Sequence, residues 1–186
     1  MSRAYRIRVS ETLRKVIRAE DGVSTQLEIL ALLPPEDMAA LLKAELLERG
    51  FTEDGDKLTR TDDGIVISVD AETGTVSVQA AECEQLELKG DRESRTYNPK
   101  DKEAKKALAK NLKEDLENEA NEKQAQLQDE LTNRLEEQLR DLKKELDQIA
   151  KEVTAAALKK KAAQMGQIKE ISEDKESGSM TIVLEV

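Results

Sequence analysis

Histidine is missing from this chain of 186 residues, and with it the side chain that most often serves as general base or metal ligand. Cys83 is the only cysteine. No intrachain disulfide can form, and without histidine there is no Cys–His pair to activate the thiol. Its neighbours Glu82 and Glu84 disfavour the thiolate further. Tryptophan is absent and Phe51 is the one phenylalanine, so any core rests on Leu, Ile, Val and Ala and is modest. Neither a G-x-x-x-x-G-K-[ST] loop nor a G-x-G-x-x-G turn occurs, which leaves nucleotide phosphates no cradle. No apolar run reaches the ~20 residues that span a bilayer. Met1-Ser2-Arg3 leads straight into a strand-like segment rather than a secretory h-region, so the expected compartment is the cytoplasm. Together these gaps argue against an enzyme and imply no cofactor and no metal.

What is abundant is charge, at 38% of residues, with a net of −10. Its placement is uneven: residues 1–98 carry −7, residues 99–166 are neutral and residues 167–186 carry −3. An acidic chain without a basic patch argues against nucleic acid as a partner. The acidic turns Glu53-Asp54-Gly55-Asp56 and Asp62-Asp63 fail the EF-hand spacing, because Leu58 stands where a third oxygen ligand belongs. They read as two exposed turns.

The longest uninterrupted pattern runs from Asn98 to Gly166. Between Pro99 and Gly166 there is no glycine, proline or aromatic residue, and Asn98 with Pro99 suits the first turn of a helix. A single helix of ~67 residues would measure about 100 Å. Its apolar stripe runs Ala104, Leu108, Leu112, Leu116, Ala120, Leu127, Leu131, with Gln124 as a polar exception. From Leu135 the spacing tightens to 4-3-4-3-4 through Leu139, Leu142, Leu146, Ile149 and Val153, a heptad seam. This seam is the candidate interface for self-association or for other protein subunits. The neutral flanks and the lack of Trp argue against lipid contact. Any fold-back would fall between Asn118 and Gln124, where the stripe is weakest. Asparagines cluster there at 111, 118 and 121, but no glycine or proline marks a turn, so a straight rod is the expectation.

Ahead of this helix, Tyr5, Ile7 and Val9 alternate with arginines as a strand does. A run over 12–19 meets Asp21-Gly22, a hairpin signal, and alternation resumes over 23–29. Pro35 opens a helix with apolar Met38, Leu41, Leu42 and Leu46 that ends at Gly50. Strands follow over 57–61, 65–69, 75–80 and 82–89, and residues 90–97 read as a polar linker. After the long helix come 168–171 and 180–186, a terminal hairpin. Ile67-Ser68-Val69-Asp70-Ala71-Glu72-Thr73-Gly74-Thr75 and Ile171-Ser172-Glu173-Asp174-Lys175-Glu176-Ser177-Gly178-Ser179 share the pattern I-S-x-D-x-E-[ST]-G-[ST]. That pattern suits a short hairpin loop with a left-handed glycine.

The expected fold is therefore α+β: a β-rich module with one short helix and a linker (residues 1–97), a very long helix with coiled-coil character (98–166) and a C-terminal β-hairpin (167–186). The apolar face Ile182, Leu184, Val186 is too small to stand alone, since an isolated hairpin is marginal in water. On a straight rod it would lie far from the first module and dock on a neighbouring molecule.

The opening Met1-Ser2-Arg3-Ala4-Tyr5-Arg6-Ile7-Arg8-Val9-Ser10-Glu11, the segment 30–51 around Leu33-Pro34-Pro35-Glu36, and the end 153–166 with the Gly178 hairpin resemble the accessory proteins of bacterial FtsH ternary systems. Those loci combine a MoxR-like AAA+ ATPase, a von Willebrand A-domain protein and an FtsH-like ATPase. The resemblance carries no catalytic residue. It implies a non-catalytic component handled by, or assembled with, AAA+ machinery. A self-assembling structural protein that forms a helical bundle or filament is the other reading.

Overall fold

The computed structural model describes residues 5–97, 101–174 and 179–185. Asn98, Pro99, Val186 and the second loop glycine, Gly178, lie outside them. The architecture is α+β in the order β1 (Tyr5–Gln26), α1 (Pro35–Glu48), β2 (Thr52–Asp54), β3 (Lys57–Asp62), β4 (Ile65–Asp70), β5 (Thr75–Thr96), α2 (Lys102–Met165), β6 (Gln167–Asp174), β7 (Ser179–Glu185). One sheet has the order β1-β5-β4-β3-β2, and β6 with β7 forms a second, two-stranded sheet.

Two expectations fail at glycines, for one reason. Asp21-Gly22 does not turn the chain; β1 runs through it as a single strand of 22 residues. A type I′ turn needs a positive φ, and Gly22 is not among the glycines that have one. A Cβ there would stand 2.9 Å from the carbonyl oxygen of Val78, so the glycine serves close passage beside β5. Likewise 75–80, 82–89 and the supposed linker 90–97 are one strand, β5, also of 22 residues. A Cβ on Gly90 would meet Leu112 Cδ1 at 2.8 Å and Leu116 Cδ2 at 3.3 Å. Gly90 is thus where the long helix lies down on the strand.

Where a turn does need a left-handed residue, the sequence supplies it. Asp63 (φ 49°) and Gly64 (φ 81°) join β3 to β4, as a type I′ turn requires. Asp70 Oδ1 accepts from the Glu72 and Thr73 amides, and Gly74 (φ 70°) donates to the Asp70 carbonyl at 2.8 Å. These donors hold the Asp70 carboxyl below its usual range, the Thr73 amide most of all. Helix α1 closes with the Phe51 amide on the Leu46 carbonyl and the Gly50 amide on the Leu47 carbonyl, both at 3.1 Å. That pair of bonds is a Schellman motif with Gly50 at φ 82°.

Helix α2 is continuous through Asn118–Gln124 and begins at Lys102. Its cap is Asp101, whose Oδ1 accepts from the Ala104 amide at 3.0 Å. The chain's contacts group into two compact units, Met1–Asp21 with Ala81–Arg134 and Gly22–Ala80 with Leu135–Val186.

In the first unit, Leu112, Leu116 and Ala120 of α2 are buried with Leu88, against Val9, Leu13 and Leu86. Each such leucine contributes roughly 1.5–3 kcal/mol by leaving water. Polar contacts follow the same track. Asp115 pairs with Arg92, Asn121 with Lys15, Gln128 with Glu20, Thr132 with Asp21 and Arg134 with Glu82. On the other face of the sheet, charged cross-strand pairs form a solvent ladder: Arg6–Glu93, Arg8–Asp91 and Arg14–Glu87. As β1 advances its partners recede along β5, so the two strands are antiparallel.

In the second unit, β2 through β5 form an antiparallel meander whose core is Ile65, Ile67, Val69, Val76 and Val78, all buried. Helix α1 adds buried Leu42 and Leu46, with Phe51 beneath. Lys160 and Lys161, near the end of α2, bond Asp37 Oδ1 (2.8 Å) and the Leu32 carbonyl (3.0 Å). The helix is unbroken, as expected, but its end is not remote from the whole first module, since Lys160 and Lys161 bond the segment around α1. The helix is clothed by its own chain in both units, and its last turns grip the segment around α1. The physical reason is the stripe itself: a leucine face this long is buried most cheaply against a sheet already tethered to it.

Candidate interaction surfaces

The residues singled out for an interface fall into three groups. Leu135, Leu142, Leu146, Ile149 and Val153 are buried within the single chain, and Leu139 is half-buried. Ile182 and Leu184 are half-buried on β7, and Val186 lies outside the described residues. The heptad seam is therefore occupied by the chain's own second unit, and a bundle built on it would first have to strip that cover away.

Above the seam sits a cleft of about 240 Å³ lined by Arg60, Asp62, Ile65, Ile67, Val78 and Leu142, with Glu145 at its side. Arg60 is its centre. Its guanidinium forks onto both oxygens of Glu145 at 2.8 Å, bonds Asp62 Oδ2 at 2.8 Å and the Arg49 carbonyl at 3.1 Å, and lies 4.6 Å from the Phe51 ring centroid. Arginine suits this post because its planar fork matches a carboxylate and its face stacks on an aromatic ring. Glu145 is held below its usual range, chiefly by the hydrogen bond from Arg60. Every polar group at the floor is already matched, so the cleft is a structural joint between β3 and α2.

A second joint ties α1 to α2. Arg49 donates to Glu45 Oε1 at 2.7 Å and to Glu152 Oε2 at 2.8 Å. Burial pushes Glu45 up from its ordinary value, while Gln148, Glu45 and Arg49, in that order, pull Glu152 down to about 2. The two carboxyls share one arginine, and the less exposed of them is the one that burial pushes up. No pattern in the sequence points to Arg60 with Glu145 or Arg49 with Glu152. The partners are 85 and 103 residues apart.

The remaining candidates are ordinary surface. Glu53 bonds Lys43 at 2.8 Å, Asp62 is taken by Arg60 and Asp63 accepts from Gln138. Among the described residues no three His, Cys, Asp or Glu side chains converge as metal ligands would. Cys83 is exposed, beside Arg18, Glu20 and Glu82 in a shallow hollow. No helix of the described residues is long and apolar enough to cross a membrane.

The terminal hairpin is different. Ile171 pairs with Ile182 and Ile168 with Leu184, and a bulge between Ile168 and Glu170 reconciles their three-residue spacing with a two-residue period. Ile168, Ile171, Met180, Ile182 and Leu184 thereby share one face of the hairpin, and none of them is fully buried. No third strand pairs with β6 or β7 among the described residues.

A search among curated proteins and one among solved structures both return no match. A family model does match, over residues 1–186, and it describes a domain of a multi-component system, which implies association with other proteins. The chain belongs to the family of FtsH ternary system domain X5.

Proposed function

We propose that this chain is a non-enzymatic adaptor of an FtsH ternary system, acting in the cytoplasm through strand and surface contacts and handled by an AAA+ ATPase. The observation that carries the reading is the family match over the whole chain. The structure adds support from its chemistry. The carboxylates and arginines whose ionisation is most perturbed where α2 meets its own chain, Glu45, Arg49, Arg60, Glu145 and Glu152, are committed to one another. Arg60 and Glu145 line the cleft but are bonded to each other there, which favours a structural role for them over that of a general acid or base. The helical-bundle alternative loses ground because Leu142, Leu146, Ile149 and Val153 are spent inside the chain.

Affinity purification of the tagged full chain from its native cell, read by mass spectrometry, tests this. Enrichment of an FtsH-like ATPase together with a MoxR-like ATPase or a von Willebrand A protein is the expected result. A preparation in which none of these exceeds an untagged control would overturn it.

A further inference from the structure

We propose that β7 is a self-complementary edge through which two copies of this chain pair, antiparallel about Ile182, into a continuous four-stranded sheet β6-β7-β7-β6. The inference stands apart from the adaptor reading and names one surface and one occupant.

A sheet edge is an open row of backbone donors and acceptors, and proteins that must avoid pairing shorten such edges, charge them or bulge them. Three of the four edges here are protected in those ways. β1 carries Arg6, Arg8, Glu11, Arg14, Lys15, Arg18, Glu20 and Asp21 along its length. β2 is three residues long, two of them acidic. β6 carries the adjacent charges Lys169 and Glu170 and is bulged between Ile168 and Glu170. β7 has none of these devices. It reads Ser179-Met180-Thr181-Ile182-Val183-Leu184-Glu185, with one charge, and that charge is met by Lys169 at 2.9 Å.

Its register with a second copy follows from parity. Antiparallel partners share a face, so residues of like parity must pair if the apolar face is to stay continuous. Centring on Ile182 does this and pairs all seven residues. Ile182 meets its own copy, Leu184 meets Met180, Val183 meets Thr181, and Glu185 meets Ser179. No like charges oppose one another. The pairing also supplies the third strand that an isolated hairpin lacks and sets a neighbour beside Val183, which is 44% exposed.

Sedimentation of the full-length protein tests the idea. The wild type is expected to dimerise with concentration, whereas the double variant Thr181→Lys, Val183→Lys, which sets lysine against lysine at two places across the axis, weakens dimerisation about tenfold or more. An unchanged thermal melt shows that the variant still folds. In a Cys83→Ser background, Ile182→Cys is expected to cross-link two chains under mild oxidation. Symmetric strand partners bring Cα atoms to roughly 4.5–5.5 Å, within disulfide reach. A wild type that stays monomeric at every concentration overturns the proposal. So does a dimer indifferent to the two lysines, or cross-linking that is as efficient from Ile168→Cys on β6 as from Ile182→Cys. Any of these results leaves the affinity purification, and the adaptor reading it tests, untouched.

Discussion

The two hairpins β4–β5 and β6–β7 carry the same nine-residue signature and the same register, yet they live in different surroundings. Asp70 faces Thr75 across the first loop, and Asp174 faces Ser179 across the second, each pair framing four residues. In the first, Ile65, Ile67, Val69, Val76 and Val78 are all buried. In the second, Ile171 and Val183 remain exposed and the rest are half-covered. Local chemistry therefore specifies the hairpin, while its neighbours decide whether the hairpin is core or surface. β1 and β3 flank the first in its sheet and Leu142 of α2 lies beside its apolar face, whereas among the described residues no third strand joins the second.

The contrast can be broken most forcibly in the buried copy. Ile67→Ala is expected to cost about 2–5 kcal/mol, as large-to-small changes in packed cores do, and Ile182→Ala on β7 under about 1.5 kcal/mol, because much of that side chain is already wet. Denaturant midpoints of the two variants measure the ratio, and equal shifts would show that the hairpins are buried alike. Next in size is Gly74→Ala. A left-handed φ of 70° at an L-residue costs roughly 1–2 kcal/mol, visible as a lower melting temperature.

A smaller effect is expected from acid. Glu152 is held near pH 2 in the fold against an ordinary value of 4.5. A depressed carboxyl stabilises above its unfolded value and loses that contribution as pH falls, here between about 4.5 and 2. Glu45, pushed upward, acts in the opposite sense and is relieved as it takes its proton. The melting temperature should fall through that window, and less steeply in Glu152→Gln. Smallest of all is Asp70→Asn, which keeps the loop but gives up the charge on its acceptor. Its effect should disappear as pH drops below the ordinary 3.8 of an aspartate, since only the folded state holds the proton off.

Much of the local structure was readable from residue patterns. α1 and its Gly50 stop, the Asp63-Gly64 turn, strands β3 and β4, the long helix and the final hairpin each announce themselves through spacing or turn chemistry. The errors came where a glycine serves a neighbour rather than its own backbone. Gly22 and Gly90 look like a turn and a linker because the contacts that require them, Val78 and Leu112, lie 56 and 22 residues away. The helix left a choice open. Its heptad from Leu135 to Val153 is what a coiled coil would show, and an amphipathic helix lying on a sheet needs the same stripe. The polar joints at Arg60 and Arg49 left no trace at all, because an ion pair across more than 80 residues has no spacing to detect.

The long reach of β1 has a consequence for how the chain is made. Lys15 waits for Asn121, 106 residues later, and Asp21 for Thr132, 111 residues later. At roughly 5–20 residues per second of synthesis, β1 stays without the part of the helix that covers it for about 5–20 s after it is made. During that interval Ile7, Ile17 and Ala19, all buried in the finished fold, face water. The arginines of the same strand, Arg6, Arg8 and Arg14, keep the nascent segment soluble before they ever meet Glu93, Asp91 and Glu87.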